Sequence, residues 1–176
     1  AFAYPQLVLG MIAIFVYVGV EVSTISNMPA YLELPVSEGG LGIETSLIAP
    51  VVSLYWASLM SGRWAGAEGA FDVAKHTKWM LTILLPYLAF GVFLAVNAFA
   101  NHEISHFFMY GFVIVLMIAA TFASRGNPAR MLLYFAICGI AALVIGMLTT
   151  GMTSVVAFIS VGLFCSTMWP CIFTLA

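Results

Sequence analysis

The chain has 176 residues, 64% of them hydrophobic and only 7% charged, with a net charge of −2 and a mean hydropathy of +1.13. A soluble domain of this length carries about 25% charged residues, because its surface must face water. So few charges exclude a water-soluble globule and a basic nucleic-acid-binding surface, and they make lipid the solvent for most of this chain.

A bilayer core about 30 Å thick takes roughly 20 apolar helical residues to cross. The apolar runs here are long and do not alternate, which points to an all-α membrane protein and not to a barrel. Six spans are predicted in chain order: Pro5 to Tyr31, Thr45 to Gly66, Lys78 to Phe99, His106 to Ser124, Ala129 to Thr149, and Met152 onwards. Pro29, Pro50, Pro86 and Pro170 fall in or near them, where neighbouring helices can satisfy the backbone groups that proline frees.

Orientation follows from the loops. Arg63, Lys75 and Lys78 flank the second loop, and Arg125 and Arg130 the fourth. The first loop carries Glu33, Glu38 and Glu44, the third Glu103, and the fifth, Thr149 to Met152, no charge. All the basic residues thus share one face, which the positive-inside rule makes cytoplasmic, along with both ends of the chain. Cys138, Cys165 and Cys171 all lie in apolar runs without a CxxC pair and read as small buried hydrophobes. No secretory leader is visible at Ala1 to Gln6, and the chain breaks off in an apolar run at Ala176, so a piece of a longer protein is expected.

A charge in the hydrocarbon costs at least about 2.5–3.5 kcal/mol, so it marks function by default. Glu21 is the clear case, close to the middle of the first span, with Tyr17 and Thr24 on its face at i−4 and i+3. It is expected to bind a substrate hydroxyl or exchange a proton; the alternative is a carboxyl that serves packing alone. Ser23, Ser26 and Asn27 extend this polar character along the helix, either as interhelical glue or as a lining for a hydroxylated ligand. Tyr55 and Trp56 in the second span and Trp169 in the sixth sit where an aromatic polar atom needs a partner or a wet cavity. Sugars stack their C–H faces on such rings; large core residues are the competing reading.

Gly62, Arg63 and Gly66 end the second span as GRWAG, and with Ser58 and Ala70 they place a small residue at every fourth position, which lets another helix come close. Arg63 is expected to pair with Glu68 or Asp72, or to bond carbonyls at a helix end. His102, Glu103 and His106 spell HEISH, an HExxH pattern that on a helix would hold zinc with the glutamate as general base. Its place in a short loop after Asn101 and the absence of a motif supplying a third ligand favour solvated histidines. A membrane metallopeptidase is therefore the second functional reading, and a non-catalytic membrane subunit the third.

Three stretches in order, YVGVEVS (Tyr17 to Ser23), YWASLMSGRWAG (Tyr55 to Gly66) and STMWPCIFTLA (Ser166 to Ala176), resemble the second half of the fucose–proton and glucose/galactose symporter branch of the major facilitator superfamily. The resemblance implies a 12-helix fold in two halves, a central hexose site, alternating access driven by a coupling cation such as a proton, and no cofactor or enzyme activity. It makes Glu21, Tyr17, Thr24, Asn27, Tyr55, Trp56 and Trp169 substrate-binding candidates, and Gly62, Arg63 and Gly66 a gate element. The missing N-terminal half and the lipid bilayer become the partners, and the bacterial cytoplasmic membrane the location. The sequence departs from the family pattern at Ala30, where an Asn is usual, and by placing three spans between GRWAG and WPCIF where the family has one. An added pair of helices implies a 14-helix parent.

Overall fold

A computed structural model describes residues 4–66 and 74–176. The described residues form seven α-helices: α1 (Pro5–Glu33), α2 (Thr45–Gly66), α3 (Lys75–Phe99), α4 (Tyr110–Ser124), α5 (Pro128–Leu148), α6 (Gly151–Cys165) and α7 (Met168–Leu175). Two 3-10 turns, Val36–Glu38 and Ser105–Phe107, sit in the loops before α2 and α4. Six stretches are long and apolar enough to cross a bilayer, the last joining α6 and α7. The six expected spans are therefore present. Phe15, Phe99, Phe112 and Leu148 are each at least 79% exposed on the outside of the bundle, a surface that only lipid solvates at low cost. The class is a multi-pass all-helical membrane protein.

Local sequence sets the helix ends. Asn127 caps α5 by accepting from the backbone N–H of Ala129 at 3.0 Å and of Arg130 at 3.1 Å, with Pro128 as the first helical residue. Arg125 and Gly126, both at positive φ, reverse the chain between α4 and α5. After α1 the loop folds back on the helix end: the N–H groups of Leu41, Gly42 and Ile43 donate to the carbonyls of Tyr31, Leu34 and Leu32. A Cβ on Gly40 would collide with the Leu34 carbonyl, so only glycine allows this return.

Packing radiates from α6, which touches α1, α2, α4, α5 and α7. Small residues make that possible. A Cβ on Gly162 would stand 3.0 Å from the Tyr55 ring of α2, and one on Gly146 of α5 would stand 3.0 Å from the Phe158 ring of α6. Ser154 of α6 donates to the Gly146 carbonyl at 2.6 Å and closes the α5–α6 hairpin. On the far side of α2, Tyr110 of α4 donates to Ser58 at 2.6 Å, both side chains buried. By contrast α1 buries one stripe, Gly10, Tyr17, Glu21, Ile25, Met28 and Leu32, at heptad-like spacing.

Most boundaries lie within two residues of the expectation, the first span ending at Glu33 and the fifth running Pro128–Leu148, and the larger differences lie in the third, fourth and sixth. The third span starts three residues early, at Lys75, and the fourth enters through a 3-10 turn at Ser105. The sixth is not one helix: it breaks at Ser166 and Thr167 and restarts at Met168. Pro170 is the reason on the α7 side, since it has no N–H to offer the carbonyl four residues back.

Candidate functional site

The buried stripe of α1 places Tyr17 and Glu21 one turn apart on the face that meets α2. The Tyr17 hydroxyl donates to Glu21 Oε2, and Arg63 Nη2 of α2 donates to Glu21 Oε1 at 3.4 Å and to the Tyr17 hydroxyl oxygen at 3.3 Å. Each oxygen of the carboxylate thus has its own donor. The Glu21 side chain is 12% exposed and that of Arg63 is 49%, so the anion is buried and its counter-ion reaches in from the edge. An unpaired charge at this depth is costly; a paired and hydrogen-bonded one can persist and be released by whatever competes for either partner.

Arg63 therefore does something the sequence did not suggest. Its expected partners Glu68 and Asp72 lie outside the described residues, as does Ala70. Its guanidinium spans to α1, and it belongs to the Glu21 cluster as much as to the end of α2.

Tyr55 completes the cluster from behind. It is fully buried, its hydroxyl donates to the Glu21 backbone carbonyl at 2.9 Å, and Thr24 lies next to that hydroxyl. Its ring fits against Gly162, so Tyr55 ties the Glu21 turn of α1 to α6. Cys165, the last residue of α6, lies within electrostatic reach of both Glu21 and Tyr55.

The other candidates stand outside this contact. Trp56 stacks edge-on against Tyr55 with 6.2 Å between centroids and is about half exposed. Trp169 in α7 leans on Phe173 at 4.8 Å and is also about half exposed. Asn27 is exposed and donates to the Ser23 carbonyl of its own helix at 2.8 Å. Gly62 has the close approach expected of it: any Cβ there would run into the Ser166 side chain at the α6–α7 break. Gly66 ends α2. Two apolar concavities run along α1, one of about 220 Å³ between Gly10, Ala13, Leu132 and Ile172, and an open one of about 640 Å³ along Met11, Phe15, Gly19 and Ser23. Neither contains the Glu21 cluster.

HEISH does not form the helical pair that zinc binding needs. His102, Glu103 and Ile104 are in the loop, and a 3-10 turn starts only at Ser105. His102 Nδ1 is 3.1 Å from Asn97 Oδ1, while Glu103 accepts from Ser105 at 2.9 Å and lies 3.8 Å from His106. Among the described residues no three His, Cys, Asp or Glu side chains gather as a metal site.

The chain is similar to sugar carriers by sequence. It is 30% identical over its whole length to the glucose/galactose transporter of Brucella abortus biovar 1 (strain 9-941), and equally to that of Brucella abortus strain 2308. The chain spans 29% of the length of each of these curated relatives. No family model and no solved structure matches it.

Proposed function

We propose that this chain is part of a secondary transporter of the major facilitator type, its second half, which carries a hexose such as glucose, galactose or fucose by alternating access. The observation that carries the reading is the Tyr17–Glu21–Arg63 cluster, a buried carboxyl met by an arginine from the edge of the bundle, inside membrane-spanning helices, in a chain similar to glucose/galactose transporters. A carboxylate with one donor per oxygen is a switchable element: a proton on Glu21, or a sugar hydroxyl taking the place of Tyr17 or Arg63, would loosen α1 from α2. Coupling to a cation, with Glu21 as the proton-exchanging group, follows from that chemistry. Trp56, Trp169, Thr24 and Asn27 would line or flank the path, and Tyr55 would hold the Glu21 turn in place. Gly62, Arg63 and Gly66 would form the gate at the cytoplasmic end, with the start of α1 on the same side of a bacterial cytoplasmic membrane. The exposed polar edge of α1 would face the other half of the transporter.

Uptake of radiolabelled hexoses into vesicles carrying the intact protein tests this. Wild type is expected to accumulate a hexose when a proton gradient is imposed, and Glu21→Gln to lose most of the gradient-dependent part. Absence of uptake for every hexose tried would sink the reading. Uptake indifferent to Glu21→Gln would leave the transporter standing and reduce Glu21 to a packing residue.

A further inference from the structure

The α6–α7 break leaves one polar group without an explanation. Thr167 is 2% exposed, and its hydroxyl has no hydrogen-bond partner among the described residues. As the residue preceding α7 it would ordinarily cap that helix by accepting a backbone N–H of the first turn. It does not: the third helical residue is Pro170, which has no N–H, and the Thr167 backbone is helical, at φ −100 and ψ −5. An unsatisfied buried hydroxyl costs about 1–3 kcal/mol, so it signals a missing partner.

A second oxygen is freed at the same place. The Ser166 carbonyl would be bonded by the N–H four residues on, which again is Pro170. The Ser166 hydroxyl donates to the Leu163 carbonyl at 2.5 Å, which leaves its own lone pairs open. Two consecutive residues thus present a hydroxyl, a carbonyl and a second hydroxyl oxygen, at the C-terminal, negative end of the 15-residue α6.

We propose that this break binds a small monovalent cation, sodium, through the Thr167 hydroxyl and the Ser166 carbonyl. The donor set selects the charge. Every oxygen in the break is neutral and no carboxylate belongs to it, whereas a divalent ion needs carboxylates to offset its dehydration. Hydroxyl and carbonyl oxygens do not hold a proton at neutral pH, so the site is distinct from the proton exchange proposed for Glu21. An anion would seek the first amides of α7. Pro170 removes one of these and the Cys171 N–H is already committed to the Thr167 carbonyl at 3.3 Å, which leaves an anion only the Met168 and Trp169 N–H groups. Unwound carbonyls beside a half-helix end are a recurrent way of holding sodium inside a membrane. Because Ser166 seats on Gly62, next to Arg63, an ion here would tighten α6 and α7 against the helix that holds the Glu21 counter-ion. The ion site does not depend on the transported solute.

The test is thermal unfolding of the intact detergent-solubilised protein in sodium, potassium or choline chloride at one ionic strength, together with radioactive sodium binding at equilibrium. Sodium is expected to raise the Tm of wild type and of Thr167→Ser above the choline value. Thr167→Val, which keeps the shape and removes the oxygen, should lose at least tenfold in sodium affinity and show no sodium-specific rise. Should that variant misfold by circular dichroism, saturable sodium binding to wild type, competed poorly by potassium, still decides the matter. A Tm equal in sodium and choline, or no saturable binding, overturns the proposal and leaves the hydroxyl holding a buried water. Neither readout uses a sugar, so this proposal and the hexose reading fail separately.

Discussion

Over an 18-residue stretch of each, the first and sixth spans have nearly the same mean hydropathy, 2.1 and 1.9, yet 17% of that stretch is buried inside the bundle in the first against 72% in the sixth. In water such similar strings would compete for the same core. In lipid, hydropathy decides only that a helix is immersed, because lipid tails are as apolar as leucine; which helix becomes central depends on how closely neighbours can approach. The sixth span brings Ser154, Ala157, Ser160 and Gly162 to its contacts. The first carries Phe15, Val16, Val18 and Val22 outward and buries one narrow seam that includes Gly10, Tyr17 and Glu21, while Gly19, Ser23 and Asn27 stay exposed. Centrality is therefore written in small residues.

The largest expected effect pits two glycines against each other. Gly162→Leu should destabilise by about 1–3 kcal/mol through overpacking onto the Tyr55 ring, whereas nothing stands within 4 Å of a Cβ on Gly19 of α1. Gly19→Leu should change stability by less than about 0.5 kcal/mol. Thermal unfolding in detergent reads both, and equal losses would break the comparison. Next comes the charge pair. Arg63→Met should cost about 1–3 kcal/mol by leaving the Glu21 carboxylate unpaired, and adding Glu21→Gln should recover most of it, a coupling that a double-mutant cycle measures. Tyr110→Phe, which removes the bond to Ser58, is expected to cost only about 0.6 kcal/mol, the usual size for an interhelical bond in a membrane. At the bottom, Ser23→Ala on the exposed face of α1 should leave unfolding within about 0.5 kcal/mol of wild type. If Ser23→Ala nevertheless lowers hexose uptake in the intact protein, that face serves transport and not stability.

Immersion was legible in the sequence because it is a local property: twenty apolar residues reveal a span wherever it packs. Glu21 was legible for the same reason, as a charge at the middle of such a run. What the sequence could not disclose was pairing across elements. Arg63 looked like the end of a helix, and only the antiparallel approach of α1 brings Tyr17 and Glu21 within its reach. Tyr55 could be read as a ring for a sugar or as a large core residue, and the sequence did not show that it is fully buried against Gly162 with its hydroxyl on the Glu21 carbonyl. The small-residue spacing around Gly62 did announce a close neighbour, though not that the neighbour would be Ser166. Pro170 was visible as a helix disruptor, but a proline inside a membrane helix is often accommodated. The break follows here from its place just beyond a serine–threonine pair. The HEISH stretch reads as loop histidines despite its spacing, and His102, Glu103 and Ile104 do lie in the loop, since three matching letters carry no guarantee of helical backbone.

The connection between α5 and α6 is only Thr149 and Thr150, and the Ser154 hydroxyl fastens the two helices just beyond it. For the machinery that threads a nascent chain into the bilayer, this pair is a single item of cargo. With so little slack neither helix can be left behind while the other enters, and neither can be flipped alone. The practical corollary concerns labelling: a tag, a glycan acceptor or a protease site placed at Thr149–Thr150 will disturb the fold it is meant to report on. The exposed turn at Val36–Glu38, ahead of the part of that loop that folds back on α1, offers a gentler place to attach one.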